Sequence, residues 1–136
     1  MDMEGALRAR LLAAAPVTDL VERRVTWIDR PQKDGLPAIT LQIVTDERVQ
    51  TYSGFAGLQP GYVQVDVWAL TYAAAKALKE AIIGTDASPG ALVSGGTFYG
   101  IRFTRAFVTA RDLSERTDTQ FIYRHSIDLN FHYATA

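Results

Sequence analysis

Few side chains in this sequence could do chemistry, and their spacing limits what that chemistry would be. His125 and His132 lie seven residues apart. On one strand an odd spacing sends them to opposite faces, so they cannot chelate one metal ion. His125 shares the parity of the aromatic residues around it and reads as a packed, hydrogen-bonded histidine. His132 reads as a solvent or subunit contact. Asp46 and Glu47 are adjacent carboxylates, a type that can do acid–base work, but at a loop start they read as a solvated turn. Ser94-Gly95-Gly96 is glycine-rich, yet neither the Gly-Lys-Ser/Thr nor the helix start that a phosphate loop needs follows it; it reads as a flexible connection. Ser53-Gly54 lacks the flanks of a nucleophile elbow. Arg23-Arg24 reads as a solvated helix end, with a subunit contact as the alternative. No cysteine is present, which excludes disulfides, thiolate metal sites and cysteine nucleophiles together. The expectation is a chain with no catalytic, cofactor-binding or metal-binding residues, no cofactor, and no enzymatic activity.

Trp68 stands apart. It falls on the polar parity of an alternating strand, beside Asp66. Packing beneath a loop or second layer and anchoring an interface, where tryptophan is enriched, are weighed evenly. With Gln64 and Asp66 it forms one candidate contact surface. Tyr52, Phe55 and Leu58 form another, because a solvated loop has little reason to keep such groups.

The elements that must position these residues follow from composition and periodicity. With 136 residues, 48% of them apolar, the chain has the size of one domain spanning 1–136 and can bury roughly two-thirds of its unfolded surface. Fourteen basic and fifteen acidic residues are interspersed, which argues against a basic nucleic-acid grip. No stretch reaches the roughly 20 apolar residues of a membrane span. The acidic N-terminus, with Arg8 and Arg10 interrupting its apolar residues, does not read as a signal peptide; the chain reads as made in the cytoplasm.

Leu7, Leu11 and Ala14 recur at helical spacing, predicting a helix over 4–14 that Pro16 ends, with one further short turn from Val17 to Val21. Val25–Ile28 is a short strand. Pro37 opens a second, in which Ile39, Leu41 and Ile43 share a face. Thr45–Gly61 is the longest irregular stretch, a length that points to function. Tyr62–Ala69 alternates cleanly, with Val63, Val65 and Val67 on one side and Gln64, Asp66 and Trp68 on the other. Thr71 caps a helix to about Ile83, with Ala74, Ala75, Leu78, Ala81 and Ile82 inward. Gly84–Gly96 reads as flexible. In the strand beginning near Tyr99, Arg105 breaks the alternation of Tyr99, Ile101 and Phe103, and a bulge at Thr104–Ala106 repairs it. The last strand carries Phe121, Tyr123, Ile127, Leu129, Phe131 and Tyr133 on one face. The pattern predicts an α+β fold: a mainly antiparallel sheet of about four to five strands with two helices on one face. Its core is Leu7, Leu11, Ile39, Leu41, Val63, Val65, Val67, Leu78, Ile82, Ile127 and Leu129.

Four segments in succession, LRARLLAAAPVTD (7–19), VTWIDRPQKDGLPAITLQIV (25–44), VQVDVWALTYAAAKALKEAI (63–82) and IYRHSIDLNFHY (122–133), resemble the tail-terminator or tail-completion family of siphophages, prophages and gene transfer agents. The resemblance implies a structural protein of the virion or phage-like particle. It implies a homohexameric ring on the head-proximal end of the tail tube, which stops tube polymerisation and joins the tail to the head connector. The partners it implies are copies of the chain itself, the major tail tube protein and the head–tail connector or stopper protein. DNA would pass through the ring without sequence-specific binding, and no membrane is involved. The loop TDERVQTYSGFAGLQPG (45–61) departs from the family's charged, Gly-Pro-rich pattern by carrying aromatic residues. Two other readings are a head-completion or neck adaptor protein and a small-molecule-binding α+β domain.

Overall fold

Alternating apolar residues on three long segments dictate a sheet with one apolar face, and the structure is built on that face. The computed structural model describes residues 2–29, 35–45, 50–51, 54–55, 57–85, 87–116 and 120–135, with backbone alone at 50–51 and 54–55. Its helices are α1 (Met3–Ala13), α2 (Ala15–Val21) and α3 (Tyr72–Ile83). Its strands are β1 (Val25–Trp27), β2 (Ala38–Thr45), β3 (Gln50–Thr51), β4 (Gly54–Phe55), β5 (Gln59–Ala69), β6 (Gly96–Phe98), β7 (Ile101–Phe103), β8 (Phe107–Asp112), β9 (Glu115–Arg116) and β10 (Phe121–Thr135). The main sheet has eight strands in the order β1-β2-β5-β10-β7-β6, with β8 and β9 also paired to β10. β1 runs parallel to β2. The other pairings are antiparallel.

Pairing in register places the apolar parities side by side. Trp27, Leu41, Val65, Ile127 and Ala110 form one row across the sheet. Leu7 and Leu11 of α1, Val17 and Val21 of α2, and Leu78 and Ile82 of α3 close over that face, and every predicted core residue lies in the buried cluster. α1 turns Met3, Ala6, Leu7, Arg10 and Leu11 inward. Arg10 therefore occupies a core-facing position. Its guanidinium lies 4.0 Å from the Phe98 ring centroid and 5.0 Å from that of Phe103, and its Nη2 donates to the Ser94 carbonyl at 2.8 Å. Burial lowers its pKa to about 10, so it remains a cation at neutral pH. The side chain thus pins the β6–β7 hairpin to α1 through ring faces and a carbonyl.

Two features of the sequence reading need correction. The expected two helices are three, because Pro16 opens a helix where it was read as ending one. Proline is tolerated in a first helical turn, where its missing N–H has no partner to lose, and α2 begins one residue before it after the extended backbone of Ala14. The expected four to five strands are too few. The long strand near Tyr99 is divided by a two-residue turn at Tyr99-Gly100, with φ of 52° and 81°, and by the bulge. Short β9 adds a further pairing with β10, and β3 and β4 form a separate two-stranded hairpin within the stretch read as irregular. β5 also starts earlier than Tyr62, at Gln59.

The bulge itself is where the alternation required it. Phe103 pairs with Tyr133 and Phe107 with Asn130, so residues 104–106 oppose residues 131–132. Thr104 secures the irregularity: its N–H donates to the His132 carbonyl and its Oγ1 accepts from the His132 N–H, both at 2.9 Å. Gly84–Gly96, read as flexible, is fastened instead. The N–H groups of Gly90 and Ala91 donate to the Ile83 and Ala81 carbonyls at the end of α3, which satisfies otherwise orphaned acceptors, and Leu92 and Val93 are buried. The Thr71 cap is formed, Oγ1 accepting from the Ala74 N–H at 3.2 Å.

Leu41→Ala should destabilise the fold by about 2–5 kcal/mol, the range for buried leucine truncation; chemical denaturation measures this, and an unmoved midpoint would refute the parity assignment. A Cβ on Gly61 would lie 2.6 Å from Cε2 of Phe131, whose ring is held between Phe103 and Tyr133. Gly61→Ala should therefore cost about 1–3 kcal/mol through overpacking, and Phe131→Leu in the same chain should recover part of that loss in a double-mutant cycle.

Candidate assembly surface

The sheet face turned away from the helices collects the polar parities of four strands. One row holds Thr40, Asp66, Ser126 and Arg111, and the next holds Gln42, Gln64, Asp128 and Thr109. Asp66 is only 5% exposed. Its carboxylate accepts from Gln64 Nε2 at 3.0 and 3.2 Å and from Arg124 Nη2 at 3.0 Å. The Arg124 guanidinium lies 4.7 Å from the Trp68 ring centroid, and Trp68 Nε1 donates to Thr40 Oγ1 at 3.0 Å. Arg111 pairs with Asp128 at 3.7 Å. Opposite charges thus meet across neighbouring strands, which stabilises the pairing and leaves little unbalanced charge on the face.

Three of the candidates from the sequence, Gln64, Asp66 and Trp68, are therefore brought into one connected group. The Trp68 ring is packed and bonded within the chain, and it lines a shallow depression of about 270 Å3 with Ile28, Asp29, Thr40, Asp66 and Arg124. Leu58, just before β5, is 44% exposed. Tyr52 lies outside the described residues, as do Asp46, Glu47 and the side chain of Phe55. The histidines face opposite sides as expected. His125 is buried on the helix side against Tyr72, with ring centroids 6.3 Å apart, and His132 is exposed. Among the described residues no group of three or more histidine, aspartate or glutamate side chains could hold a metal, and no helix is long and apolar enough to cross a membrane.

Reading along the chain missed Arg124, Ile28 and Phe107. Arg124 shares the polar parity of β10, but its position opposite Trp68 comes from strand order. Phe107 carried a usable signal: once the bulge shifts the register, it falls on the polar parity with Thr109 and Arg111. It is 80% exposed at the start of β8, beside a groove of about 320 Å3 whose lining includes Pro60, Gly61, Tyr62, Phe131 and His132. Ile28, just past β1, is 79% exposed.

Comparison with known proteins agrees with this architecture. A chain described as "Virion of native gene transfer agent (GTA) particle" superposes with a TM-score of 0.62 at 17% identity, over 98% of this chain and 93% of its own. A second solved structure aligns with a TM-score of 0.51 at 14% identity, over the same shares of the two chains. At these identities the likeness is one of fold. No curated protein sequence matches significantly. The sequence profile of the family described as tail completion protein gp17 matches residues 5–129. That span is most of the chain, so the protein belongs to the tail completion protein gp17 family, a family of structural components of phage-type tails.

Proposed function

We propose that the chain, as one domain, forms a closed ring of identical copies, a hexamer by family analogy, on the head-proximal end of a tail tube. The ring stops tube polymerisation and offers the surface on which the head connector or stopper docks, while DNA passes through its lumen. The family match over residues 5–129 carries this reading. The surface chemistry supports it. The helix-free sheet face holds paired charges rather than a convergent catalytic set, and basic and acidic residues nearly balance over the whole chain. That balance suits passage of DNA without retention, since retention needs net phosphate neutralisation. In this reading Gln64, Asp66 and Trp68 lie in or near a subunit contact, and the segment carrying Tyr52, Phe55 and Leu58 meets the tail tube or a neighbouring copy.

The direct test adds the purified protein to polymerising tail tube protein and measures tube length by electron microscopy. Capped tubes of limited length are expected; docking to the portal side with no effect on tube growth would favour a neck adaptor instead. Trp68→Ala should weaken ring or tube association more than it lowers the unfolding midpoint, because part of the ring is exposed at the depression. A large stability loss with unchanged assembly would make Trp68 a packing residue only. Replacing Tyr52 and Phe55 by serine, with the stretch from Ser53 to Leu58 shortened around position 55, should give a folded subunit that no longer caps tubes. Tails of normal length with that variant would remove the segment from the contact.

A further inference from the structure

Hydrogen-bond alternation fixes which backbone groups of β8 face outward. In an antiparallel ladder, alternate residues turn both N–H and C=O to the same neighbouring strand. The Leu113 N–H donates to the Arg124 carbonyl at 2.8 Å, and Asp112 stands opposite His125. Arg111, Thr109 and Phe107 therefore turn their backbone groups to β10, and Val108, Ala110 and Asp112 turn theirs away from it. The rest of the sheet agrees. Carried through the registers of β10, β5 and β2, the same alternation points Ile39 and Leu41 at β1. There the Ile39 N–H donates to the Arg24 carbonyl and the Leu41 carbonyl accepts from the Ile28 N–H. Among the described residues β8 pairs with β10 alone, so three donors and three acceptors line an open edge. Asp112 is exposed, and so is Ala110, even though its parity is that of the helix side.

The β1 margin is treated differently. Its outward groups are bonded within the chain: the Val25 carbonyl accepts from Arg8 Nε, the Val25 N–H donates to the Arg23 carbonyl, and the Trp27 carbonyl accepts from the Asp29 N–H, each at 2.8 Å. β8 lacks the usual protections of an edge. It holds no proline and no lysine, and its Arg111 is turned to Asp128. One margin closed and the other left open marks β8 as the edge that takes an added strand. The chain also carries a strand pair without a third. β3 and β4 form a sheet of their own, with Gln50 opposite Phe55 and Thr51 opposite Gly54, and a two-stranded hairpin is marginal in water. The hairpin joins β2 to β5, whereas β8 of the same chain lies beyond β5 and β10. From these two unfilled edges we infer that the β3–β4 hairpin of a second copy adds to the β8 edge. The contact joins different surfaces, so it is head-to-tail, and repeating it closes a ring or runs on as a filament. The inference rests on the ring reading above and assigns the segment carrying Tyr52 and Phe55 to a neighbouring copy.

Substitutions at one position separate edge bonding from folding. Ala110→Pro removes an N–H that faces away from β10, where proline is tolerated on an edge strand. Ala110→Lys keeps every backbone group and adds an edge charge. Both should leave the unfolding midpoint near that of the wild type and lower self-association at least about tenfold. Thr109→Pro removes an N–H bonded to β10 and should destabilise the subunit itself. In the wild type, amide exchange at Val108, Ala110 and Asp112 should slow on assembly, whereas Thr109 and Arg111 are protected already in the monomer. The chain has no cysteine, so Ala110→Cys and Thr51→Cys chains can be mixed and treated with a short bismaleimide. The two should cross-link to each other, and neither to itself. Unchanged association of Ala110→Lys would overturn the inference. Efficient cross-linking of Ala110→Cys alone would mean that β8 pairs with β8, and would overturn it too. Rings seen by native mass spectrometry in which the Val108, Ala110 and Asp112 amides still exchange freely would overturn this contact and leave the ring reading standing. Protection that appears only on adding tail tube protein would overturn the second copy as occupant and assign the edge to that partner. A chain that stays monomeric alone and on tail tubes would overturn both readings.

Discussion

The pairing of β10 with β5 is the constraint on which the rest of this structure depends. It runs from Tyr123↔Ala69 to Tyr133↔Gln59 without a break in register. Side chains on strands alternate with a period of two, so a slip by one residue would move every apolar group of a strand to the wrong face. Val63, Val65 and Val67 opposite Leu129, Ile127 and His125 define the face that the helices cover. The same register sets Asp66 opposite Ser126 and Trp68 opposite Arg124, and so creates the polar face as an automatic consequence. Core and candidate assembly surface are two sides of one pairing.

The bulge at Thr104–Ala106 lets one neighbouring segment serve two ends of β10. Before it, Ile101 and Phe103 turn inward; after it, the inward parity passes to Val108 and Ala110. The exchange puts Phe107 on the outer face. A local irregularity of one residue therefore both completes the sheet and places the exposed Phe107 beside the groove. Such re-aiming of a side chain is a common use of bulges near functional surfaces.

Charge is managed differently on the two faces. On the outer face each carboxylate in the central rows has an arginine from a neighbouring strand: Arg124 for Asp66 and Arg111 for Asp128. Beneath the helices Arg10 has no carboxylate among the described residues and rests on Phe98 and Phe103. A buried cation is costly unless its partners are in place, and here those partners are two ring faces and the Ser94 carbonyl. Arg10 therefore fixes where the β6–β7 hairpin can sit more than it adds to stability. The hairpin in turn precedes the bulge, which links the N-terminal helix to the geometry of the outer face.

By itself the sequence determined the parity of β2, β5 and β10, the Thr71 cap, the need for a bulge near Arg105 and eleven of the 21 residues of the buried cluster. Each of these is a local pattern: a period of two, a hydroxyl ahead of a helix, one residue out of phase. The succession of segments also carried the tail-completion resemblance. Only the tertiary structure decided which polar groups meet. Arg124 reaches Asp66 across 58 residues of chain, a partnership set by strand order and invisible to periodicity. It also decided that Pro16 begins a helix, since a proline is compatible with a first turn and with a stop, and packing of Val17 and Val21 onto the core selects the former. The exposure of Ile28 and Phe107 belongs to the same class. Whether an apolar residue at a strand end is covered depends on what the fold brings beside it, and here the fold leaves both uncovered at the two margins of one sheet.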